Sequence, residues 1–145
     1  ERSRVYGRNK ALPSAGATAV GARCFLFAFN VNLGTKDLAI AKNIAKAVRF
    51  SSGGFHCVKA MGFDIKERGI VQVSMNLTNY QKTPIFRVFE TIKNEADRYG
   101  VPIIGSEIVG LIPLEALVMA DDYYLHFEHF SMDQIIEKKL LDLGK

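Results

Sequence analysis

The sequence has few cysteines and no long hydrophobic run, and each scarcity excludes whole classes of protein. Two cysteines, Cys24 and Cys57, occur among 145 residues, and their spacing fits no metal-binding motif. We expect both to be reduced residues of the core. No apolar run reaches the roughly 18 residues that a membrane span requires, and no signal-peptide pattern precedes the first predicted strand. The sequence therefore predicts a soluble, cytoplasmic protein with no membrane partner.

Clustered positive charge is also scarce. The net charge is +4 and the isoelectric point is near 9.1, but lysines and arginines are mixed with acids along the chain. The one local basic run consists of Arg2, Arg4, Arg8 and Lys10. Because nucleic-acid surfaces usually need clustered Lys and Arg, we expect no nucleic-acid partner and favour a small anionic metabolite or another protein. With 48% hydrophobic residues, the chain fits one compact domain.

The N-terminal part of the chain carries no periodic pattern. The chain begins at Glu1, and its first dozen residues are polar, so we expect a piece of a longer polypeptide in which residues 1–20 form an arm or junction and residues 21–145 fold. The segment GATAVGAR, residues 16–23, resembles a loop whose backbone must pass close to another group. It is not a phosphate loop, because the Gly-Lys-Ser/Thr ending is missing and a strand follows where a helix should.

Hydrophobic periodicity predicts six elements between residues 24 and 114. Strands are predicted over residues 24–33, 55–65 and 70–77 and from residue 101, and helices over residues 36–50 and 84–99, the first capped by Thr35. The order is β-α-β-β-α-β. It predicts an α+β, ferredoxin-like antiparallel sheet with both helices on one face. Two C-terminal helices follow, one beginning at Pro113 and one with a capping box from Ser131 to Gln134, and they cover a sheet edge or form a dimer surface.

The two faces of the predicted sheet differ in polarity. The helices should cover the apolar face, which carries Phe25, Phe27, Phe29, Val71, Val73 and Met75. The opposite face carries five amide or hydroxyl side chains, namely Asn30, Asn32, Gln72, Ser74 and Asn76. Such a face is either solvated or used, since buried polar groups need partners. We interpret it as used, because it lies beside glycine-rich segments.

The stretch VPIIGSEIVGLIPL, residues 101–114, breaks an apolar run twice with glycine. Gly105 and Gly110 flank a Ser-Glu pair, which predicts a strand that runs into a binding loop. A buried edge strand with a bulge is the alternative. Glu107 has two interpretations: a loop carboxylate with local hydrogen bonds, or an acceptor for N–H groups of a ligand.

Other residues of catalytic type give weaker signals. His126 and His129 would share a helix face with Glu128 nearby, but no third metal ligand is at a suitable spacing, so we predict no metal. Adjacent Asp121 and Asp122 would point about 100° apart on a helix and cannot form a facing acid/base pair. Nothing in the sequence orients His56 as a base for a nucleophile.

Three blocks of the sequence resemble one family. They are GATAVGARCFLFAFNVNLGT (16–35), RGIVQVSMNLTNY (68–80) and YGVPIIGSEIVGLIPLEAL (99–117). Together they resemble the C-terminal half of the formiminotransferase domain of glutamate formimidoyltransferases, which also occurs in formimidoyltransferase-cyclodeaminases. The resemblance covers about residues 14–130 and implies transfer of a formimino or formyl group between N-substituted glutamate and N5 of tetrahydrofolate, in histidine and one-carbon metabolism.

The resemblance also implies a site and partners. Folate would lie in a groove between this half and an N-terminal half, and the C-terminal half would make homodimer contacts. The groove region that corresponds to this chain comprises Gly105, Ser106, Glu107, Ile108, Val109, Gly110, Leu111, Ile112 and Pro113. Our own inference adds a groove wall formed by Arg23, Asn30, Ser74 and Asn76, with Arg23 or Lys59 available for carboxylates. The histidine that acts as acid/base catalyst in the family belongs to the N-terminal half, so no catalytic residue is expected here.

Two other functions remain open from the residues alone. One is a regulatory ferredoxin-like module that binds a small ligand without catalysis. The other is a dimerisation domain in which the helices after Pro113 matter and the glycine segments do not.

Overall fold

The computed structural model describes residues 21–22 and 24–143. The predicted arm, most of the GATAVGAR segment and Arg23 lie outside the described residues. The elements in chain order are β1 (Phe27–Leu33), α1 (Leu38–Val48), β2 (Val58–Ile65), β3 (Ile70–Leu77), α2 (Ile85–Arg98), β4 (Ile103–Val109), α3 (Leu114–Leu125) and α4 (Ile136–Leu143). The four strands form one antiparallel sheet in the order β2-β3-β1-β4. The predicted α+β, ferredoxin-like architecture is confirmed.

Period-2 alternation in the two central strands builds the core. Every second residue of β1 and β3 is buried against α1 and α2, whereas the residues between them face the other side of the sheet. The strand residues at the centre of the core are Phe27, Phe29, Val31, Leu33, Val71, Val73, Met75 and Leu77. The predicted apolar face is therefore correct except for Phe25, which precedes β1 and is 83% exposed. Cys24 is also exposed, so its predicted place in the core is wrong, while Cys57 is buried.

Helix α1 begins later than the sequence predicts. Asp37, not Thr35, is the N-cap, since its carboxylate accepts a hydrogen bond from the backbone N–H of Ala39 at 2.8 Å. Thr35 instead accepts from the N–H of Asp37 at 3.2 Å, one step before the helix. The buried face of α1 consists of Ala41, Ile44, Ala45 and Val48. Two of these are alanines, which let the helix approach the sheet closely.

Strand β2 is shorter than predicted and packs under α1. It begins at Val58 rather than residue 55, and its buried positions are Val58 and Ala60, whereas Met61 and Phe63 are 60% and 44% exposed. A Cβ at Gly62 would lie 2.6 Å from the backbone N of Lys42, so glycine is required at this crossing of strand and helix. The hairpin to β3 turns through a 3-10 segment, Lys66–Arg68, and Gly69 at φ +62°.

Strand β4 contains a bulge that decides which side chains reach which face. Asn32 pairs with Gly105, but the next residue of β1, Leu33, pairs with Ile103, so Ile104 is the extra residue. The bulge places Ile103 against the core and Gly105 on the opposite face, although the two are two residues apart. In a regular strand both would point to the same side.

Of the two C-terminal helices, α3 packs against α2 and α4 follows a 3-10 turn. Helix α3 lies beside α2, where the rings of Phe86 and Tyr123 stack at 4.2 Å and the Tyr124 hydroxyl donates to Glu90 Oε1 at 2.7 Å. The capping box of Ser131 and Gln134 is present, but it caps a 3-10 turn that precedes α4 rather than α4 itself.

None of the helices within residues 21–22 and 24–143 has the length and apolarity needed to cross a membrane.

Candidate functional site

The face of the sheet opposite α1 and α2, hereafter the open face, presents side chains in three rows across the strands. Each row runs from β2 through β3 and β1 to β4. The rows are Lys59–Asn76–Ala28–Val109, Met61–Ser74–Asn30–Glu107 and Phe63–Gln72–Asn32–Gly105. The predicted groove-wall residues Asn30, Ser74 and Asn76 thus share one face, with Glu107 directly opposite Asn30.

A hydrogen-bonded network occupies the centre of the open face. Glu107 Oε1 accepts from Asn30 Nδ2 at 2.9 Å and from Gln72 Nε2 at 3.0 Å. Gln72 Nε2 also donates to Asn32 Oδ1 at 2.9 Å. The carboxylate therefore bonds two amides directly, and Gln72 links the third, Asn32, to them. Charge-assisted hydrogen bonds of this kind are stronger than those between neutral groups, so the network holds these side chains in fixed orientations.

The amides of the network are buried although they face away from the helices. Asn30, Asn32 and Gln72 are 8%, 5% and 9% exposed, whereas Glu107 is exposed. Asn30 Oδ1 is inaccessible to solvent and has no hydrogen-bond partner within the described part of the chain. A buried acceptor without a donor costs about 1–3 kcal/mol, which makes Asn30 the most unusual polar group on this face. The sequence indicated Asn32 and Gln72 as face residues but gave no sign of a network.

The nine residues predicted as a binding loop do not form one surface. Residues 103–109 are strand β4, so the loop is confined to residues 110–113. Within the strand, Gly105, Glu107 and Val109 point to the open face, whereas Ser106 and Ile108 pair with the core positions Val31 and Phe29 on the other side. The predicted loop location of residues 105–109 is wrong, because the bulge and continued pairing with β1 keep them in the sheet.

The loop that remains is exposed and leads into α3. Gly110 has φ +82°, a conformation that favours glycine, and Leu111 is 93% exposed. Ile112 packs against the core, and Pro113 is the N-cap of α3. The loop thus starts at the end of β4, one residue beyond the open-face position Val109.

Neither interpretation of Glu107 as a loop residue holds, because Glu107 lies in β4. It accepts hydrogen bonds from Asn30 and Gln72, which are distant in the sequence, and its Oε2 atom has no donor among the described residues. The exposed oxygen is still available to a ligand.

The predicted helix face shared by His126 and His129 does not form. Helix α3 ends at Leu125, so His126 and His129 lie beyond it at φ +53° and +59° and share no helix face. His56 Nδ1 lies 3.3 Å from Cys57 Sγ, and the His56 ring packs against that of Phe50. Within residues 21–22 and 24–143, no group of three His, Cys, Asp or Glu residues could hold a metal ion.

A separate apolar cleft of about 190 Å³ lies on the helix side, between α2, α3 and β4. Its lining includes Phe29, Phe86, Phe89, Ser106 and Tyr124. Burial and the hydrogen bond to Glu90 raise the pKa of Tyr124 above its usual value, so its hydroxyl stays protonated. The cleft lacks the several polar groups that a site for a polar, anionic ligand needs, whereas the open face has them.

Comparison with known proteins decides the family. The model of the formiminotransferase domain matches residues 28–144. The chain belongs to the formiminotransferase domain family. The match includes β2, β3, β4 and all of β1 except Phe27, and therefore every residue of the three open-face rows.

Relatives of this formiminotransferase chain carry consistent names. It is 53% identical over 137 residues to a glutamate formimidoyltransferase of Streptococcus pyogenes serotype M1. The aligned region covers 94% of this chain and 46% of that protein. A glutamate formimidoyltransferase of Thermoplasma acidophilum is 50% identical over 126 residues, covering 87% and 42%. A formimidoyltransferase-cyclodeaminase of Dictyostelium discoideum is 44% identical over 141 residues, covering 93% and 26%. The chain therefore spans less than half the length of the relatives it matches.

Proposed function

We propose that this chain is the folate-binding C-terminal half of a glutamate formimidoyltransferase. The complete protein would transfer a formimino or formyl group between N-substituted glutamate and N5 of tetrahydrofolate. The observation that carries the proposal is the 53% identity, over nearly the whole chain, to a relative named glutamate formimidoyltransferase. Residues 1–20 would join the missing half, and residues 21–145 would form the subdomain.

The open face supports a role in binding a flat, polar ligand. Its centre offers an exposed carboxylate, Glu107, and the amides of Asn30 and Gln72. Ser74 and Asn76 extend the polar surface toward β2, where Lys59 supplies a positive charge at the end of one row. A carboxylate of glutamate would pair with such a lysine, and Arg23 is a second candidate.

The loop at residues 110–113 would close one end of the groove. Gly110 removes a side chain where β4 leaves the sheet, and Leu111 projects an almost fully exposed apolar side chain. An exposed leucine beside a polar face gains free energy when a ligand or another subdomain covers it. Gly105, Val109 and the residues of this loop would form the β4 side of the groove, while Ser106 and Ile108 would support it from the core side.

The division of chemistry between the two halves follows from the reaction. N5 of tetrahydrofolate attacks the formimino carbon, and the leaving glutamate nitrogen must gain a proton, so the reaction needs both placement and proton transfer. The residues of the open face can place the ligands. The acid/base group would come from the N-terminal half, and tetrahydrofolate would be a co-substrate with no metal required. A homodimer in the cytoplasm is part of the same proposal.

Activity measurements on separate and combined halves test the proposal. The 145-residue chain alone should bind tetrahydrofolate weakly and show no formimino transfer, whereas addition of the upstream half should restore transfer. Calorimetric titration with tetrahydrofolate, with free glutamate as the comparison ligand, measures the binding. Robust transfer by the isolated chain would contradict the assignment of catalysis to the other half. Binding with no preference for folates would instead favour a regulatory module.

A further inference from the structure

Glu107 fixes the orientation of the Asn30 amide. A carboxylate only accepts hydrogen bonds, so the Asn30 atom 2.9 Å from Glu107 Oε1 must be the Nδ2 donor and not the carbonyl oxygen. The same argument fixes the donor end of Gln72, which lies 3.0 Å from that oxygen. Asn30 Oδ1 is therefore held as an acceptor that cannot exchange places with Nδ2.

This fixed acceptor has no donor within residues 21–22 and 24–143. Asn30 is more than nine-tenths buried, and its Oδ1 atom is without a partner among the described residues. The neighbouring amide oxygen, Asn32 Oδ1, shows the contrast, since Gln72 Nε2 donates to it. Folded proteins pair nearly all buried acceptors, and an unpaired one beside an ordered network is a place where a ligand donor recovers free energy.

We propose that Asn30 is a ligand-recognition residue that accepts an N–H hydrogen bond from the reduced pterin ring, and that Glu107 is the positioning residue that holds it. The inference rests on the proposed function and adds to it the part of folate that binds here. A reduced pterin carries several N–H donors on one planar edge. The glutamate tail ends in carboxylates, which are acceptors and would meet only other acceptors at Asn30 Oδ1 and Glu107.

Charge on the open face orients the rest of the ligand. The carboxylate of Glu107 lies on β4, at one edge of the sheet, and Lys59 lies on β2 at the other edge. Three strand spacings separate these edges by about 14 Å. The pterin therefore lies over β1 and β4, and the anionic tail extends toward β2.

The row that contains Asn30 ends in two exposed side chains, Met61 on β2 and Glu107 on β4. The proposal requires the side chains around Asn30 Oδ1 to move when the ligand binds, and exposed side chains change rotamer within nanoseconds.

Two fragments of folate allow binding of the pterin ring and binding of the glutamate tail to be measured separately. 6-Methyltetrahydropterin carries the donor-rich ring without a tail, and 4-aminobenzoylglutamate carries the tail without the ring. Their affinities are measured calorimetrically in the complete protein that carries this chain. Asn30→Ala should weaken the pterin fragment about 5- to 10-fold, the loss of one hydrogen bond, and leave the tail fragment within about twofold.

Variants of Glu107 test whether this residue positions the Asn30 amide. Glu107→Ala should weaken the pterin fragment, whereas Glu107→Gln should restore most of the affinity, because a glutamine oxygen can accept from Asn30 Nδ2. Asn43→Ala, at an exposed position of α1, is the matched control and should change neither fragment. The Asn30 side-chain amide resonances provide a readout in the unmutated protein, and they should shift with the pterin fragment and not with the tail fragment.

The outcomes distinguish the inference from the proposed function. If tetrahydrofolate binds but Asn30→Ala leaves the pterin fragment unchanged, or weakens both fragments equally, the recognition role of Asn30 is wrong and the proposed function stands. If the unmutated protein binds neither fragment nor tetrahydrofolate, both the proposed function and the inference that rests on it are wrong.

Discussion

Two glycines on opposite faces of the sheet allow a sharp test of the packing. Gly62 lies in β2 under α1, and Gly105 lies in β4 on the open face. A Cβ at Gly62 would be 2.6 Å from the backbone N of Lys42 and 2.7 Å from the carbonyl carbon of Ala41. A Cβ at Gly105 would meet nothing within 4 Å. We expect Gly62→Ala to destabilise the fold and Gly105→Ala to leave it intact.

The magnitude for Gly62 follows from the distance. Carbon atoms pack best about 3.5–4.0 Å apart, so α1 would have to retreat by roughly 1 Å. Both contacts are to helix backbone, which cannot swing aside as a flexible side chain can, and the retreat loosens the buried face of α1. Overpacking of this kind costs typically about 1–3 kcal/mol, and we expect the upper end of that range. Gly105→Ala should change the free energy of unfolding by less than about 1 kcal/mol. The change should be a gain in stability, because alanine reduces the conformational freedom of the unfolded chain.

Urea denaturation followed by far-ultraviolet circular dichroism measures both variants. With a slope near 2 kcal/mol per molar, a loss of about 3 kcal/mol lowers the midpoint by roughly 1.5 M. A midpoint for Gly62→Ala within about 0.3 M of the unmutated chain would refute the close contact of α1 and β2. Equal destabilisation by Gly105→Ala would show that the open face is covered at that point. Gly105→Val adds a functional readout, since it should lower tetrahydrofolate affinity while the fold persists.

Three further predictions concern single hydrogen bonds and caps. Tyr80→Phe should destabilise the protein by about 1 kcal/mol, because the Tyr80 hydroxyl donates to Glu115 Oε2 at 2.8 Å. This bond, with burial, raises the pKa of Tyr80 above 10, so its stabilisation is complete below pH 10 and is lost as pH rises through the folded-state pKa. Asp37→Ala should cost about 1 kcal/mol by removing the N-cap of α1. His126→Gly should stabilise α3 by up to about 1 kcal/mol, since His126 occupies the left-handed region at φ +53°.

Each of these has its own control. Ultraviolet absorbance of the phenolates, recorded from pH 8 to 13, should lose a late-titrating group in Tyr80→Phe, and an unchanged profile would argue against the bond to Glu115. Asp37→Asn should retain most of the stability that Asp37→Ala loses in thermal denaturation, because asparagine also caps helices well. His126→Ala should bring no gain, and a gain equal to that of His126→Gly would rule out backbone strain as the cause.

The polar open face was predictable from residue identity, but its network was not. Alternation in β1 and β3 indicates that Asn30, Asn32 and Gln72 share a face, because side chains alternate sides along a strand whatever its partners are. The hydrogen bonds connect Gln72 to Asn32, 40 residues apart, and to Glu107, 35 residues apart. Those pairs meet only through strand order and register, which no local pattern specifies.

The sequence by itself determined the elements, their order and the core face of each central strand, since those follow from periodicity and from the caps and turns between segments. Only the tertiary structure decided the role of residues 103–109. Gly105, Gly110 and the Ser-Glu pair between them predict a loop, but hydrogen bonding to β1 holds Gly105, Ser106 and Glu107 in the sheet, and only Gly110 lies in the loop. The bulge at Ile104 then turns Glu107 toward Asn30, because one extra residue reverses the side to which the following side chains point.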